Sequence, residues 1–423
     1  MERIVLPIGS KGPKASGNGI FLSMPYFLAL FACLILVACN DSGSGPVAIP
    51  KIPCEDPSVV ALTGFTPSAH KHPVQLRGKF AALPGTKWSQ GNTVRDFFGG
   101  RDIKLVFTLD RELYLVTWSG GEPKVTRMSH GDEGIYGGQG TINSPLFSPD
   151  GKRVVFAGTT RGKPAFIQDA TEGDAEGWRV PLDPTRAHIT ADPHWHSEGG
   201  KTWVYFANMA GLVVFADQCA QIPGTTYRKE VIGDTGIGPF EPTGIAGAYR
   251  GGLSQDGEWA GTSYATTALF NKQDAVTKVL AGGVQQCNPS MNPYAAGSLR
   301  SDYLMILAFG GTPYDLITGG TIVEGLHENI WIYNRNDKIV WRAARPDSTY
   351  LRWDKPEWST DPDFATAVAL HLDGEDADLY VVKIGDLSHA AEDTLALAQS
   401  YLKIAEGGFN SDVYSHLWVA PKE

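Results

Sequence analysis

Cysteine is scarce in this chain: five in 423 residues, with Cys33 and Cys39 both near the start. The remaining three, Cys54, Cys219 and Cys287, allow at most one disulfide and leave a thiol over, so a disulfide scaffold is excluded. A leftover thiol in an exported chain is a candidate metal ligand. Charge is also thin, 19% of residues, and tilted to the acidic side with a net charge of −10. That balance excludes nucleic acid and an anionic membrane surface as partners, whereas an acidic polysaccharide would need only a local basic mouth. Helical periodicity is nearly absent, and only Ala390 to Ile404 reads as a helix. There is no Gly-x-Ser-x-Gly elbow and no His-Glu-x-x-His. The glycine-rich stretch Gly134 to Gly140, near His130, lacks the Lys-Ser/Thr of a phosphate loop.

What the chain has in quantity is turns and short strands. It holds 49 glycines and 27 prolines. Between them lie short runs rich in Val, Ile, Tyr, Phe and Trp, such as Lys104 to Thr108, Leu113 to Thr117, Leu212 to Ala216, Ile330 to Tyr333 and Leu379 to Ile384. One phrase recurs, a turn feeding an apolar strand. Pro145-Leu-Phe-Ser-Pro-Asp-Gly151 precedes Arg153 to Ala157. Pro193-His-Trp-His-Ser-Glu-Gly-Gly200 precedes Trp203 to Ala207. Gly251-Gly-Leu-Ser-Gln-Asp-Gly257 precedes Trp259 to Tyr264. Looser copies are Cys287 to Pro293 and Pro356 to Pro362. The anchors Ser148, Ser197, Ser254, Asn292 and Ser359 stand 49, 57, 38 and 67 residues apart. A strand repeat of roughly 40–60 residues predicts an all-β fold, a β-propeller. Seven blades are expected, with six or eight open because Gln221 to Ala248 reads as either a long loop or weak strands. Tyr414 to Val419 is expected to close the ring by pairing with strands from the other end of the chain.

The first residues read as an address. A polar start with Arg3, Lys11 and Lys14 leads into the apolar stretch Ile20 to Ala38, which ends in Leu36-Val37-Ala38-Cys39. That ending resembles a bacterial lipobox, with Cys39 the lipidated residue; an uncleaved anchor is the alternative. Residues 39–58 are then a Gly/Ser/Pro tether, and 59–423 a single propeller domain. Without residues 1–38 the chain has 33 basic and 45 acidic residues, a net charge of −12. Asn40 is not the aspartate that favours inner-membrane retention, so outer-membrane or surface display is expected, with the chain acting as a monomer.

The Ser-Pro-Asp-Gly copy resembles TolB-like propeller repeats. Ser197-Glu-Gly-Gly-Lys-Thr-Trp203 is a near miss to the sialidase Asp-box, one residue short and lacking the aspartate. A more specific likeness runs from Tyr249 to about Ile384: Tyr249-Arg-Gly-Gly-Leu-Ser-Gln-Asp-Gly257, Gly261-Thr-Ser-Tyr264, Gln286-Cys-Asn-Pro-Ser290, Met305 to Gly310, His327-Glu-Asn-Ile330 and Pro356 to Phe364. In words and order this resembles the seven-bladed propeller polysaccharide lyases of the ulvan lyase type. The resemblance implies β-elimination at a uronate, which needs a neutraliser for the carboxylate, a base and an acid. It puts Tyr249 in the place of the catalytic tyrosine. His194 and His196, two apart on one strand and so on one face, are candidates for base, ligand or plain packing. Where the family's arginine follows Gly-Thr-x-Tyr, this chain has Ala265; Arg250 is the candidate substitute, although neighbours on a strand face opposite ways. The resemblance also implies a structural zinc, for which Cys287, His327 and His196 or His194 are the matching residues. Trp259, Trp331, Trp341, Trp353 and Trp358 are candidates to stack sugars, most of them expected in the core. Arg345, Arg352 and Trp353, on a connection that reads as exposed, are candidates to hold an anionic glycan.

Overall fold

Two of the anchor turns are locked by the same chemistry. Ser148 Oγ donates to Asp150 Oδ1 at 2.6 Å and accepts the Arg153 N–H at 3.0 Å. Ser254 repeats this with Asp256 at 2.5 Å and the Trp259 N–H at 3.0 Å. The glycine closing each turn, Gly151 or Gly257, has positive φ and donates its N–H to the serine carbonyl. Positive φ is what glycine adopts without steric cost, so the Asp-Gly pair fixes the turn. Each turn reverses the chain into the buried run behind it.

The computed structural model describes residues 79–80, 86–109, 112–118, 122–129, 142–158, 165–170, 179–182, 190–208, 225–233, 236–246, 250–263, 267–271, 277–279, 286–294, 303–311, 314–315, 320–321, 324–334, 339–374, 376–384, 401–409 and 413–422. These form six antiparallel sheets of four or five strands and one two-stranded ribbon. Named from the inner strand outward, sheet I is Ser415–Val419, Ile103–Leu109, Glu112–Trp118, Pro123–Ser129 and Lys79–Phe80. Sheet II is Ile142–Phe147, Arg153–Gly158, Ala165–Asp169 and Arg179–Pro181. Sheet III is Thr190–Glu198, Lys201–Asn208 and Thr225–Ile232, the last pairing with both Gly236–Ile237 and Glu241–Ala246. Sheet IV is Arg250–Leu253, Trp259–Ser263, Thr267–Asn271 and Thr277–Val279. Sheet V is Gln286–Met291, Tyr303–Gly311, Glu324–Asn334 and Ile339–Ala344. Sheet VI is Tyr350–Trp358, Phe364–His371, Ala377–Lys383, Tyr401–Phe409 and Lys87–Trp88.

The inner strands touch one another in a closed cycle, I to II to III to IV to V to VI and back to I. The fold is an all-β propeller. Ser415–Val419 pairs along Ile103–Phe107, so the chain's two ends close one sheet, as expected. That strand completes the sheet begun by Ile103 and adds none of its own, so the described residues give six sheets where seven were expected. Residues 225–246 resolve into strands of sheet III. The helix expected at 390–404 fails over Tyr401–Ile404, which starts a strand of sheet VI with Leu402 and Ile404 buried. Residues 390–400 lie outside the described residues. A short helix, Gly91–Phe97, was not expected.

Apolar seams join the sheets. Trp195, Val204 and Phe206 meet Leu146, Val155 and Ile167 between III and II. Trp341, Ile330 and Met305 meet Trp353, Trp358 and Tyr380 between V and VI. Each such large side chain contributes about 1.5–3 kcal/mol on burial. Among the described residues no helix is long and apolar enough to cross a membrane.

The inner strands share one irregularity. Pairing slips between Asn143 and Leu146, Ala191 and His194, Arg250 and Leu253, Cys287 and Ser290, and Asp354 and Glu357. Four of these slips hold an X-Pro pair: Ser144-Pro145, Asp192-Pro193, Asn288-Pro289 and Lys355-Pro356. Proline has no N–H to give a ladder and belongs where the ladder is broken. The fifth holds Gly251-Gly252. Ser144, Lys355 and Gly252 take φ of 48°, 45° and 65°. A bulge of this kind re-aims side chains, here next to the channel.

Candidate functional site

The inner strands of sheets II to VI run toward their anchor turns, so one rim of the channel carries the anchors and the other, the mouth, carries the strand starts. The anchor rim is closed from within. Asn292 Oδ1 accepts the Tyr294 N–H at 3.0 Å, and Tyr294 donates its phenol hydrogen to the Phe147 carbonyl at 3.0 Å. Tyr294 follows the inner strand of sheet V and Phe147 ends that of sheet II, three places away in the ring of six. The tyrosine therefore bridges the channel. Its ring lies 6.0 Å from that of His416 on the inner strand of sheet I. His416 Nδ1 accepts the Phe147 N–H at 3.1 Å, which leaves the ring proton on Nε2. Burial, and then the nearby His194, push His416 down to about 3. Glu357, on the inner strand of sheet VI, accepts from Ser290 at 2.5 Å. Burial, and then Glu357, raise the Tyr294 phenol above its ordinary range. The channel floor is thus a neutral imidazole, a protonated phenol and a carboxylate.

His194 and His196 do share a face. The His194 ring lies against Gly252 on the next sheet, where an added Cβ would come within 2.8 Å of Nδ1. Burial pushes His194 down to about 4, so it is neutral at ordinary pH. His196 lies beside the anchor turn of the same sheet, near Gly257, with its ring edge-on to Tyr205 at 5.2 Å. His194 therefore belongs with the channel, and His196 is a buried packing group on the anchor side. Gly252 is three residues after Tyr249 and two after Arg250. Tyr249 and Ala265 lie outside the described residues, as do the side chains of Arg250 and Cys287, and Cys39.

The glycan set is not an exposed patch. Trp353 is fully buried in the seam between sheets V and VI, because its strand turns that residue inward, and it offers no face to a sugar. Trp331, Trp341 and Trp358 are core residues likewise. Arg345 donates to the carbonyls of Tyr350 and Leu351 and pairs with Glu328 at 3.3 Å, so it clips its own loop. Arg352 is half-buried on the inner strand of sheet VI. Of the zinc set, the side chain of Cys287 lies outside the described residues. His196 belongs to sheet III and His327 to sheet V, which are not neighbours in the ring. Among the described residues no group of three or more His, Cys, Asp or Glu could hold a metal.

Sequence reasoning missed Tyr294, His416 and Glu357. The X-Pro pairs ahead of four of the five anchors were the signal that marked the channel-lining segments.

No protein-family model matches the chain, and no curated protein matches it. Solved structures similar to it include puromycin hydrolase, with TM-score 0.36, 13% identity, and coverage of 78% of this chain and 48% of that one. Another is an oligogalacturonate lyase in complex with manganese, with TM-score 0.35, 10% identity, and coverage of 75% and 84%. A prolyl endopeptidase gives TM-score 0.36 and 13% identity, with coverage of 77% and 53%. The chain spans about half the length of the hydrolase and the endopeptidase. Likeness at this level assigns no activity.

Proposed function

We propose that this propeller acts on an anionic, uronate-containing polysaccharide by β-elimination, at the channel mouth, in the manner of the ulvan lyases. The observation that carries the reading is the seam between sheets III and IV. It sets the neutral His194 imidazole against Gly252, which in sequence follows Tyr249 by three residues and Arg250 by two. A neutral imidazole can accept a proton, and a tyrosine can return one to the leaving oxygen. Arg250 is the cation for the uronate carboxylate in place of the residue that Ala265 lacks. The test is the ultraviolet absorbance of ulvan, alginate, pectate and glycosaminoglycans incubated with the domain from Asp41 onward, beside Tyr249→Phe. A rise on one polymer that the variant loses supports the reading; no rise on any polymer, with folded protein, ends it.

The second reading is a propeller that holds a glycan or a protein without chemistry. The burial of His194 favours it, since a packed imidazole meets no substrate. In both readings Cys39 carries a lipid and displays the domain at the outer membrane or cell surface. Cys39→Ser, followed by membrane fractionation and labelled fatty acid, tests that: membrane-bound protein in the variant refutes it.

A further inference from the structure

Sheet VI holds a second group of ionisable side chains at the mouth end. Tyr350 starts its inner strand and His371 ends the next strand, so both lie on the rim away from the anchor turns. Asp378 is buried, and one of its oxygens stands against three side chains. Tyr350 donates its hydroxyl hydrogen at 2.7 Å, Lys403 Nζ stands at 3.0 Å and His371 Nε2 at 3.2 Å. Its other oxygen accepts the Gly407 N–H at 2.8 Å. Tyr380 shares a 2.8 Å hydrogen bond with Tyr350 behind them. Burial alone would raise the Asp378 carboxyl, but the Tyr350, Gly407 and Lys403 donors carry it below the ordinary carboxylate range. It is a fixed anion.

The groups around that anion are not equally buried. His371 is 33% exposed and Lys403 36%, while the Asp378 side chain is 0% exposed. The His371 ring is held at 4.9 Å from the Tyr350 ring. With Nε2 turned toward the carboxylate, Nδ1 is the ring nitrogen on the far side of the imidazole. Lys403 Nζ stands beside Asp378 and over the rings of Tyr350 and Tyr380, 5.7 and 5.9 Å from their centroids. Asp347, on the loop before Tyr350, faces the same two side chains. A buried carboxylate 3.2 Å from one nitrogen of a partly exposed imidazole sets how that ring is presented at the rim. A surface ion pair made only for stability would need neither the buried aspartate nor the tyrosine behind it.

We infer that His371, oriented by Asp378 and flanked by Lys403, is a second proton-accepting site on the mouth rim, for an acidic sugar. The substrate class rests on the function proposed above. His371 Nδ1 takes the proton next to the carboxylate. The electron pair of that C–H bond forms the C4–C5 double bond, the C4–O bond breaks, and the departing oxygen takes a proton from water. Lys403 Nζ meets the carboxylate, the task that Arg250 has at the first site.

Two measurements test this on the whole domain. The first is elimination on ulvan, alginate and pectate by wild type, His371→Asn and Lys403→Gln, with unfolding curves to show that each folds. A partial loss of rate is expected in His371→Asn, the share that this second base supplies. Wild-type rates in that variant would overturn the inference and leave the lyase reading standing. The second is a titration with glucuronate, following the imidazole resonances by NMR, with the His371 signals identified by their loss in His371→Asn. A shift of His371 that Lys403→Gln weakens is expected, even if no polymer is cleaved. No shift overturns the site independently of the lyase reading.

Discussion

Tyr294 reaches from sheet V across the ring to the carbonyl of Phe147 on sheet II, 3.0 Å away. The same Phe147 offers its N–H to His416 on sheet I. Three sheets are therefore tied at one residue, on the rim where the anchor turns gather.

Tyr294→Phe is expected to keep the ring in place and strand the Phe147 carbonyl. The cost of an unmade buried hydrogen bond is about 1–3 kcal/mol. Urea unfolding with unchanged slope and a lower midpoint would show it; an unchanged midpoint would mean that the bridge contributes nothing.

Gly252→Ala strikes a position closed in two ways. The backbone has φ of 65°, and the new methyl would come within 2.8 Å of His194 Nδ1. A loss of about 2–3 kcal/mol is expected from strain and overpacking. Gly374→Ala has φ of 77° but nothing within 4 Å, so it separates the two causes. Equal losses would show that the contact with His194 costs nothing.

His194 and His416 set the response to acid. Burial lowers both in the folded state, to about 4 and about 3, against an ordinary 6.5. Below the ordinary value the unfolded chain binds protons that the folded chain refuses, so their stabilisation is full above about 6.5 and is lost as pH falls toward 4. For His194 alone the full effect is about 3 kcal/mol. Unfolding free energy should fall between about pH 7 and about pH 5, and His194→Asn should flatten that slope. A flat wild-type profile would contradict it.

The anchors are not equivalent. Ser254→Ala removes the acceptor of the Trp259 N–H and the partner of Asp256, which predicts a loss of about 1 kcal/mol. Ser197 is exposed, and Ser197→Ala should stay within about 0.5 kcal/mol. Paired thermal unfolding curves decide it.

The propeller was legible because each anchor serves one sheet. Turn chemistry at Ser148, Asp150 and Gly151 is local, so spacing alone reveals it. The number of sheets depends on which strands pair across the chain, and Ser415 opposite Phe107 has no local mark. Tyr401 to Ile404 misled because alanines and leucines before it suit a helix, while its pairing with Tyr380 to Val382 decides for strand. In the candidate site, the shared face of His194 and His196 followed from their spacing. Their separation into channel and anchor sides did not, because it depends on where Gly252 and Gly257 fall on another sheet. Trp353 looked like a surface aromatic because its neighbours Arg345 and Arg352 are charged. The floor of the channel was invisible, since Tyr294, His416 and Glu357 come together only when the ring closes.

That closure also sets an order of events. Ser415–Val419 is the innermost strand of sheet I, yet its partner Ile103–Leu109 is made some three hundred residues earlier. A chain emerging from the ribosome can build sheets II to V one after another from nearby segments. It cannot finish sheet I, or bring His416 to Phe147, until its last strand has been synthesised. Until then the inner edge of Ile103–Leu109 is an open template, and the half-made ring is the state that holdase chaperones and proteases would meet.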